Sequence, residues 1–242
     1  MLEGLYTAAA GMAAQQTRLD ALSNDVANVS TAGYKRVRIG FRDLLYQQDE
    51  PGSPRTGSGA AAVELGRDGN EGSLQQTGNP LDLAIEGDGY FQVRRANGQV
   101  ALTRNGNFQI DSRGELVTSN GDRLVPPITL PRGADPRSVQ ISSRGVVTAG
   151  TRRIGQLNLV TVGAPNGLQP AGDSYFLPTA QSGPVRRVNA GTQLQAGVLE
   201  ASDVDLSDVM VDMMDAQRSY SMASRAIHMQ DQMWEVANGV KQ

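Results

Sequence analysis

The 242-residue chain contains no cysteine, which excludes disulfides, thiolate metal sites and a cysteine nucleophile. Its single histidine, His228, supplies neither a zinc ligand set nor, without a local partner, a catalytic triad. Lys and Arg number 22 against 25 Asp and Glu, so the basic excess that nucleic acid or an anionic membrane surface calls for is missing. The arginine pairs Arg94/Arg95, Arg152/Arg153 and Arg186/Arg187 are scattered and read as charged strand edges. No apolar window approaches the roughly eighteen residues of a membrane span. Glu3 sits where a secretory leader needs positive charge and no continuous apolar run follows, so no cleaved leader is expected.

What the chain does have is apolar periodicity at both ends. Leu206, Val209, Met213, Ala216, Tyr220, Ala223, Ile227, Trp234 and Ala237 follow three- and four-residue steps, interrupted only by Gln230. This spacing predicts one α-helix with a narrow seam for another helix, over 205–242. At 1.5 Å per residue it extends roughly 50 Å, long enough to need a partner. The N-terminus mirrors it: Leu5, Ala9, Met12, Gln16, Leu19, Ser23 and Val26, widened by Leu2, Leu22 and Val29, predict a helix over about 3–28. Gly33 is a left-handed terminator for the segment that follows, and Phe41, Leu44, Leu45 and Tyr46 suggest a short apolar hook.

Between the ends the period changes. Residues 47–79 are rich in Gly and Pro and read as linker or extended loop. Residues 80–188 carry short alternating runs bounded by Gly and Pro, which predict a central all-β domain. Asn97-Gly98 signals a two-residue hairpin, and FQIDSRGEL at 108–116 repeats as VQISSRGVV at 139–147, giving two similar hairpins with Gly114 and Gly145 in their loops. Residues 189–204 read as a return linker. The expected fold class is α+β: helix and hook over 1–46, linker, β domain, linker, helix, with the terminal helices packed as a coiled coil around the inserted β domain.

Chemistry is harder to find. Asp82, Glu86 and Asp88 form the best carboxylate cluster and motivate one enzymatic alternative, hydrolysis of cell-wall glycan, although Asp in Gly-Asp-Gly is first a turn residue. Gly57, Gly59 and Ala62 match a dinucleotide pattern by letter without the strand and helix it requires, and Asp68 to Gly72 lacks the alternating ligands of a calcium loop. Asn28-Val29-Ser30 matches a glycosylation acceptor by letter only. Neither metal nor cofactor is expected, nor a nucleic-acid or small-molecule partner. Six of eight methionines lie in the C-terminal segment, which suits core filling or a helix meeting several unlike surfaces. A self-contained adaptor with its two helices paired is a third reading.

Three ordered stretches resemble one family. LDALSNDVANVSTAGYKR at 19–36 with FRDLLYQ at 41–47, GDGYFQV at 87–93 with TRNGNFQID at 103–111, and GVLEASDVDLSDVMVDMMDAQRSYSMASRAI at 197–227 are similar to signatures of the bacterial flagellar basal-body rod family and its hook relatives. The signature residues are Asn24, Asn28, Gly33, Tyr34, Lys35, Gln217, Arg218 and Tyr220. The helix-packing set is Leu5, Met12, Leu19, Leu22, Val26, Leu206, Val209, Met213, Tyr220, Ile227 and Trp234. FRDLLYQ and the short middle favour a rod protein over the longer hook subunit, and the N-terminal stretch is most similar to the distal-rod branch, with the proximal-rod branch as the alternative. The resemblance implies a non-catalytic subunit that polymerises helically into a hollow rod and transmits torque from motor to hook. It also implies export through the flagellar type III apparatus, an extracytoplasmic basal-body location, and contacts with copies of itself, other rod and hook subunits, and bushing rings where an outer membrane is present.

Overall fold

A computed structural model describes residues 2–44, 46–47, 56–131, 138–188 and 191–239, and its α+β architecture forms two compact units. The first draws on the described parts of Met1–Ala27, Val37–Leu65 and Asp205–Gln242. Helix α1 (Leu2–Ala27) and helix α2 (Leu206–Gly239) run antiparallel, because Arg18 pairs with Asp212 at 2.9 Å while Gln230 packs against Gly4. These two fixes bring Leu5, Met12, Leu19 and Leu22 level with Ile227, Tyr220, Met213 and Val209. A half-buried ion pair near the surface is worth about 1 kcal/mol at most, so Arg18–Asp212 sets register more than stability.

The α1 seam has a different phase from the expected one. Ala9, Gln16 and Ser23 face solvent, whereas Ala8, Gln15 and Leu22 are covered, so the row runs Leu5, Ala8, Met12, Gln15, Leu19, Leu22, Val26. The reason is a second packed side on the same helix. Ala14 and Asp25 are buried, Gly59 abuts Thr7 and Ala10, and the Val37 N–H donates to Asp25 Oδ1 at 3.2 Å. Two neighbours therefore fix the rotation of α1.

The second neighbour is a two-stranded ribbon of Val37–Asp43 and Ala60–Arg67. This replaces both the expected apolar hook and part of the expected linker. Small residues allow it: a Cβ on Gly40 would lie 2.8 Å from Leu65 Cδ1. Thr56–Gly57 pairs with Tyr46–Gln47. Leu45, residues 48–55 and residues 240–242 lie outside the described residues, as does the side chain of Ala237.

The second unit comprises Asn28–Arg36 and Gly66–Val204, wider than the expected 80–188. Segments read as linkers become strands because each finds a partner far along the chain: Leu74–Gln76 pairs with Val198–Glu200, and Leu83–Glu86 with Gln193–Ala196. A nine-stranded antiparallel sheet runs in the order Gln169–Pro170, Tyr175–Leu177, Val100–Thr103, Tyr90–Arg94, Arg123–Leu124, Leu116–Thr118, Phe108–Ile110, with Leu159–Thr161 also on Tyr90–Arg94 and Arg186–Arg187 beyond it. A three-stranded sheet of Val139–Ile141, Val146–Ala149 and Arg152–Gln156 accompanies it. Leu83, Ile85, Phe91, Val93, Phe108, Leu116, Ile128, Val139 and Val147 fill the core, where Phe91 and Phe108 meet edge to face at 5.1 Å.

The repeated nonapeptide does form two like hairpins. Gly114 donates to Asp111 O at 2.9 Å and Gly145 to Ser142 O at 2.8 Å, both glycines having positive φ. The Asp111 carboxylate accepts the N–H groups of Arg113 and Glu115, and the Glu115 N–H chiefly holds its pKa below the ordinary value. At Asn97-Gly98 the loop is one residue longer than expected. Arg95 and Gln99 close it, only Gly98 has positive φ, and the Asn97 side chain accepts the Gln99 N–H instead.

Candidate functional site

The second unit is tied together by buried charge. Glu200, 1% exposed, ends the strand Val198–Glu200 and accepts Lys35 Nζ on Oε1 at 2.6 Å and Arg104 Nε on Oε2 at 2.8 Å. The Gly72 N–H also donates to Oε1, at 3.1 Å. Lys35 Nζ donates in addition to Asn70 O. The guanidinium of Arg104 donates to the carbonyls of Ile85, Gly87 and Gly89 at 3.2 to 3.3 Å. Each carboxylate oxygen thus meets a cation and each cation also donates to backbone carbonyl oxygen, the condition under which a buried ion pair persists. Four stretches remote in sequence, around residues 35, 72, 104 and 200, meet here.

The signature segment following α1 is built into this hub. Gly33 takes φ +66° and donates to Glu200 O at 2.8 Å, and a Cβ there would lie 2.7 Å from the Arg104 carbonyl carbon. Tyr34, buried, carries the Arg67 guanidinium 5.5 Å over its ring. Asn28 Oδ1 accepts the Thr31 hydroxyl at 3.1 Å, closing the turn after the helix. Asn24 is exposed at the end of α1. Sequence reasoning found Gly33, Tyr34 and Lys35 but missed Arg104 and Glu200. A charge embedded in apolar strand sequence, as in Val198-Leu199-Glu200, is the signal that marks them.

The first unit presents a different surface. Along α2, Val209 and Ala216 are fully buried and Met213, Tyr220 and Ile227 are half-buried, as are Leu5, Met12, Leu19 and Val26 on α1; Leu22 is buried. Leu206 and Trp234, expected in the seam, remain 40% and 38% exposed. At about 100° per residue, the opposite side of α2 collects Met210, Val211, Met214, Met222, Met229, Met233 and Val236, all more than half exposed. Met214, Gln217, Arg218, Ser221, Met222 and Arg225 line a shallow groove on this side. Charges of both signs stand along α2, Asp208 and Asp215 towards its N-terminus and Arg218 and Arg225 further on, all exposed.

The enzymatic candidates do not converge. Asp82 is buried and holds Asn79 Nδ2 at 3.1 Å, Glu86 accepts Gln195 Nε2 at 2.8 Å, and the Asp88 carbonyl accepts the Thr192 hydroxyl. Gly57 and Ala62 lie in strands, Asp68 accepts the Asn70 N–H within a turn, and His228 is exposed on α2. Among the described residues no cluster of His, Asp and Glu is placed to hold a metal ion, and no helix is long and apolar enough to cross a membrane.

The first unit thus pairs two terminal helices and leaves large apolar side chains exposed on α2, while the second is tied together by buried ion pairs. The family models agree in order along the chain. Residues 5–35 match the flagella basal body rod protein model, 84–149 the flagellar hook protein FlgE/F/G D1 domain, and 195–240 the flagellar basal body rod FlgEFG protein C-terminal model. The chain is 36% identical to the flagellar basal-body rod protein FlgG of Borreliella burgdorferi, over 100% of this chain and 99% of that protein. It is 35% identical to the FlgG of Caulobacter vibrioides, covering 99% of this chain and 100% of that one, and 28% identical to the FlgF of the same organism, covering 93% and 92%. The chain belongs to the flagellar basal-body rod protein family.

Proposed function

We infer that this chain is a non-catalytic structural subunit of the distal flagellar rod. It polymerises helically through its terminal helices, with copies of itself and with neighbouring rod and hook subunits, transmitting torque from motor to hook and forming part of the export channel. The observation that carries this reading is the outer face of α2, where seven large apolar side chains are more than half exposed, away from the side that packs on α1. Methionine adapts to unlike neighbours, and charges of both signs along α2 suit a second copy shifted along the helix axis. Greater identity to the Caulobacter FlgG than to its FlgF supports the distal branch over another rod branch.

On this reading the subunit leaves the cell through the flagellar type III export apparatus. It occupies the basal body in the periplasm or cell-wall zone, within bushing rings where an outer membrane exists. Substituting Met214→Asp together with Met222→Asp in the full chain tests it. The double variant keeps wild-type helix content by circular dichroism, yet cells carrying it assemble no rod beyond this subunit and do not swim. Normal motility from that variant would sink the assembly role of the face. A label on the chain in images of extracted basal bodies checks the distal position.

A further inference from the structure

We propose that the cleft between the second repeated hairpin and the strand Arg186–Arg187 binds a carboxylate carried on a short apolar stem. The cleft belongs to the second unit and does not depend on the α2 face. Its volume is about 190 Å³, which is roughly six water molecules' share of liquid volume. Arg144 and Arg187 line it, both exposed, and neither guanidinium has a hydrogen-bond or ion-pair partner among the described residues. Asn158, half-buried in the same lining, likewise has its side-chain amide unengaged among the described residues. No Asp or Glu lines the cleft, and the nearby Asp88 meets the Thr192 hydroxyl through its backbone carbonyl at 2.8 Å. The apolar part of the lining is Leu157, Leu159, Val188 and Leu194.

The repeated hairpin supplies an internal reference. Arg113 and Arg144 hold the same place in the two copies, and both are exposed. Around Arg113 the charge is balanced: Asp111 accepts the Arg113 and Glu115 N–H groups, each at 2.8 Å, and Glu115 pairs with Arg123 at 3.0 Å. The second copy lacks both carboxylates, with Ser142 at the place of Asp111 and Val146 at that of Glu115. Ser142 still closes the loop, its Oγ accepting the Val146 N–H at 3.1 Å. The turn is thus kept while its negative charge is gone, and Arg187 adds a second cation. Gln156 is held in place, its Oε1 accepting Arg153 at 3.0 Å and its Nε2 donating to the Arg144 carbonyl at 3.4 Å, which brings a third guanidinium to the rim. Guanidinium forks match carboxylate geometry. The apolar lining favours an organic stem over a bare inorganic anion, whose hydration it cannot replace.

Titration of the full-length chain, followed through nitrogen-15 signals of its arginine side chains, tests this. Propionate and N-acetyl-alanyl-alanine are the probes, with the amide of that peptide and inorganic phosphate as controls. Both carboxylates should give saturable shifts at Arg144 and Arg187 and none at Arg113; the amide should give none, and phosphate should bind more weakly. Tighter binding of the peptide than of propionate marks a chain terminus as the source of the carboxylate, and equal binding marks a free small acid. Arg187→Gln should weaken binding about tenfold or more. Ser142→Asp, which restores the negative cap of the first hairpin, should also weaken it, whereas Arg113→Gln should not. Equal shifts at Arg113, a response that does not saturate, or phosphate binding as tight as that of the carboxylates overturns the proposal, and all three are read on the wild-type chain. Undiminished binding by Arg187→Gln overturns it as well. Rod assembly is not the readout, so the cleft and the packing role of α2 can each fail without the other.

Discussion

Gly33 rests so closely on Arg104 that a Cβ would approach the Arg104 carbonyl carbon to 2.7 Å and the Asn105 nitrogen to the same distance. The obstacle is backbone, which cannot rotate away, and φ of +66° adds left-handed strain. Gly33→Ala should therefore lower stability by more than about 1 kcal/mol. Gly33→Asn relieves the φ penalty but not the overlap, so it should be similarly destabilised. Urea unfolding of both variants decides this, and an alanine variant matching wild type would contradict the close packing.

The charge hub makes a graded prediction. Glu200→Gln leaves Lys35 and Arg104 buried without their shared counter-charge and should cost about 3–5 kcal/mol. Lys35→Met should cost less, because Glu200 keeps Arg104 and the Gly72 N–H. A double-mutant cycle between positions 35 and 200, followed by denaturant midpoints, should show strong coupling; simple additivity would argue against a direct pair.

The phase of α1 is open to a paired substitution. Leu22 is 5% exposed, so Leu22→Ala should cost about 2–5 kcal/mol. Ser23→Ala, one position away and solvent-facing, should stay within about 0.5 kcal/mol of wild type. Thermal melts of the two variants would reveal a reversed order if Ser23 occupied the seam.

Asp205 caps α2, its Oδ1 accepting the N–H groups of Ser207 at 2.8 Å and Asp208 at 3.3 Å. The Ser207 N–H is the main cause of a pKa held below the ordinary 3.8. A depressed folded pKa gives stabilisation that is present above the unfolded value and lost as pH falls through the folded one. Asp205→Ala should thus weaken helicity at neutral pH and flatten the acid limb of a circular dichroism titration. An acid limb identical to wild type would remove the cap from the account.

The sequence displayed the helices plainly because their apolar steps repeat over many turns. It left the rotation of α1 undecided: Ala8 and Ala9 are the same residue, and both a 5-8-12 and a 5-9-12 row satisfy three-four spacing. Packing of Gly59, just before the second ribbon strand, against Thr7 and Ala10 is a long-range contact that helps break the tie. Strands such as Leu74–Gln76 were illegible for a related reason, since their pairing partner lies beyond residue 197 and local composition there favours loops. The bare face of α2 was half legible. Methionine enrichment stood in the sequence, but the exposure of Leu206 and Trp234 depends on where the shorter helix α1 begins and ends.

The Lys35–Glu200 pair also has a topological meaning. Lys35 follows the last residue of α1, Ala27, by 35 − 27 = 8 positions, and Glu200 precedes the first residue of α2, Leu206, by 206 − 200 = 6. The two chain segments that run out to the helices are therefore fastened to each other at one buried point. The Gly33 N–H on the Glu200 carbonyl, at 2.8 Å, is a second stitch between the same two segments.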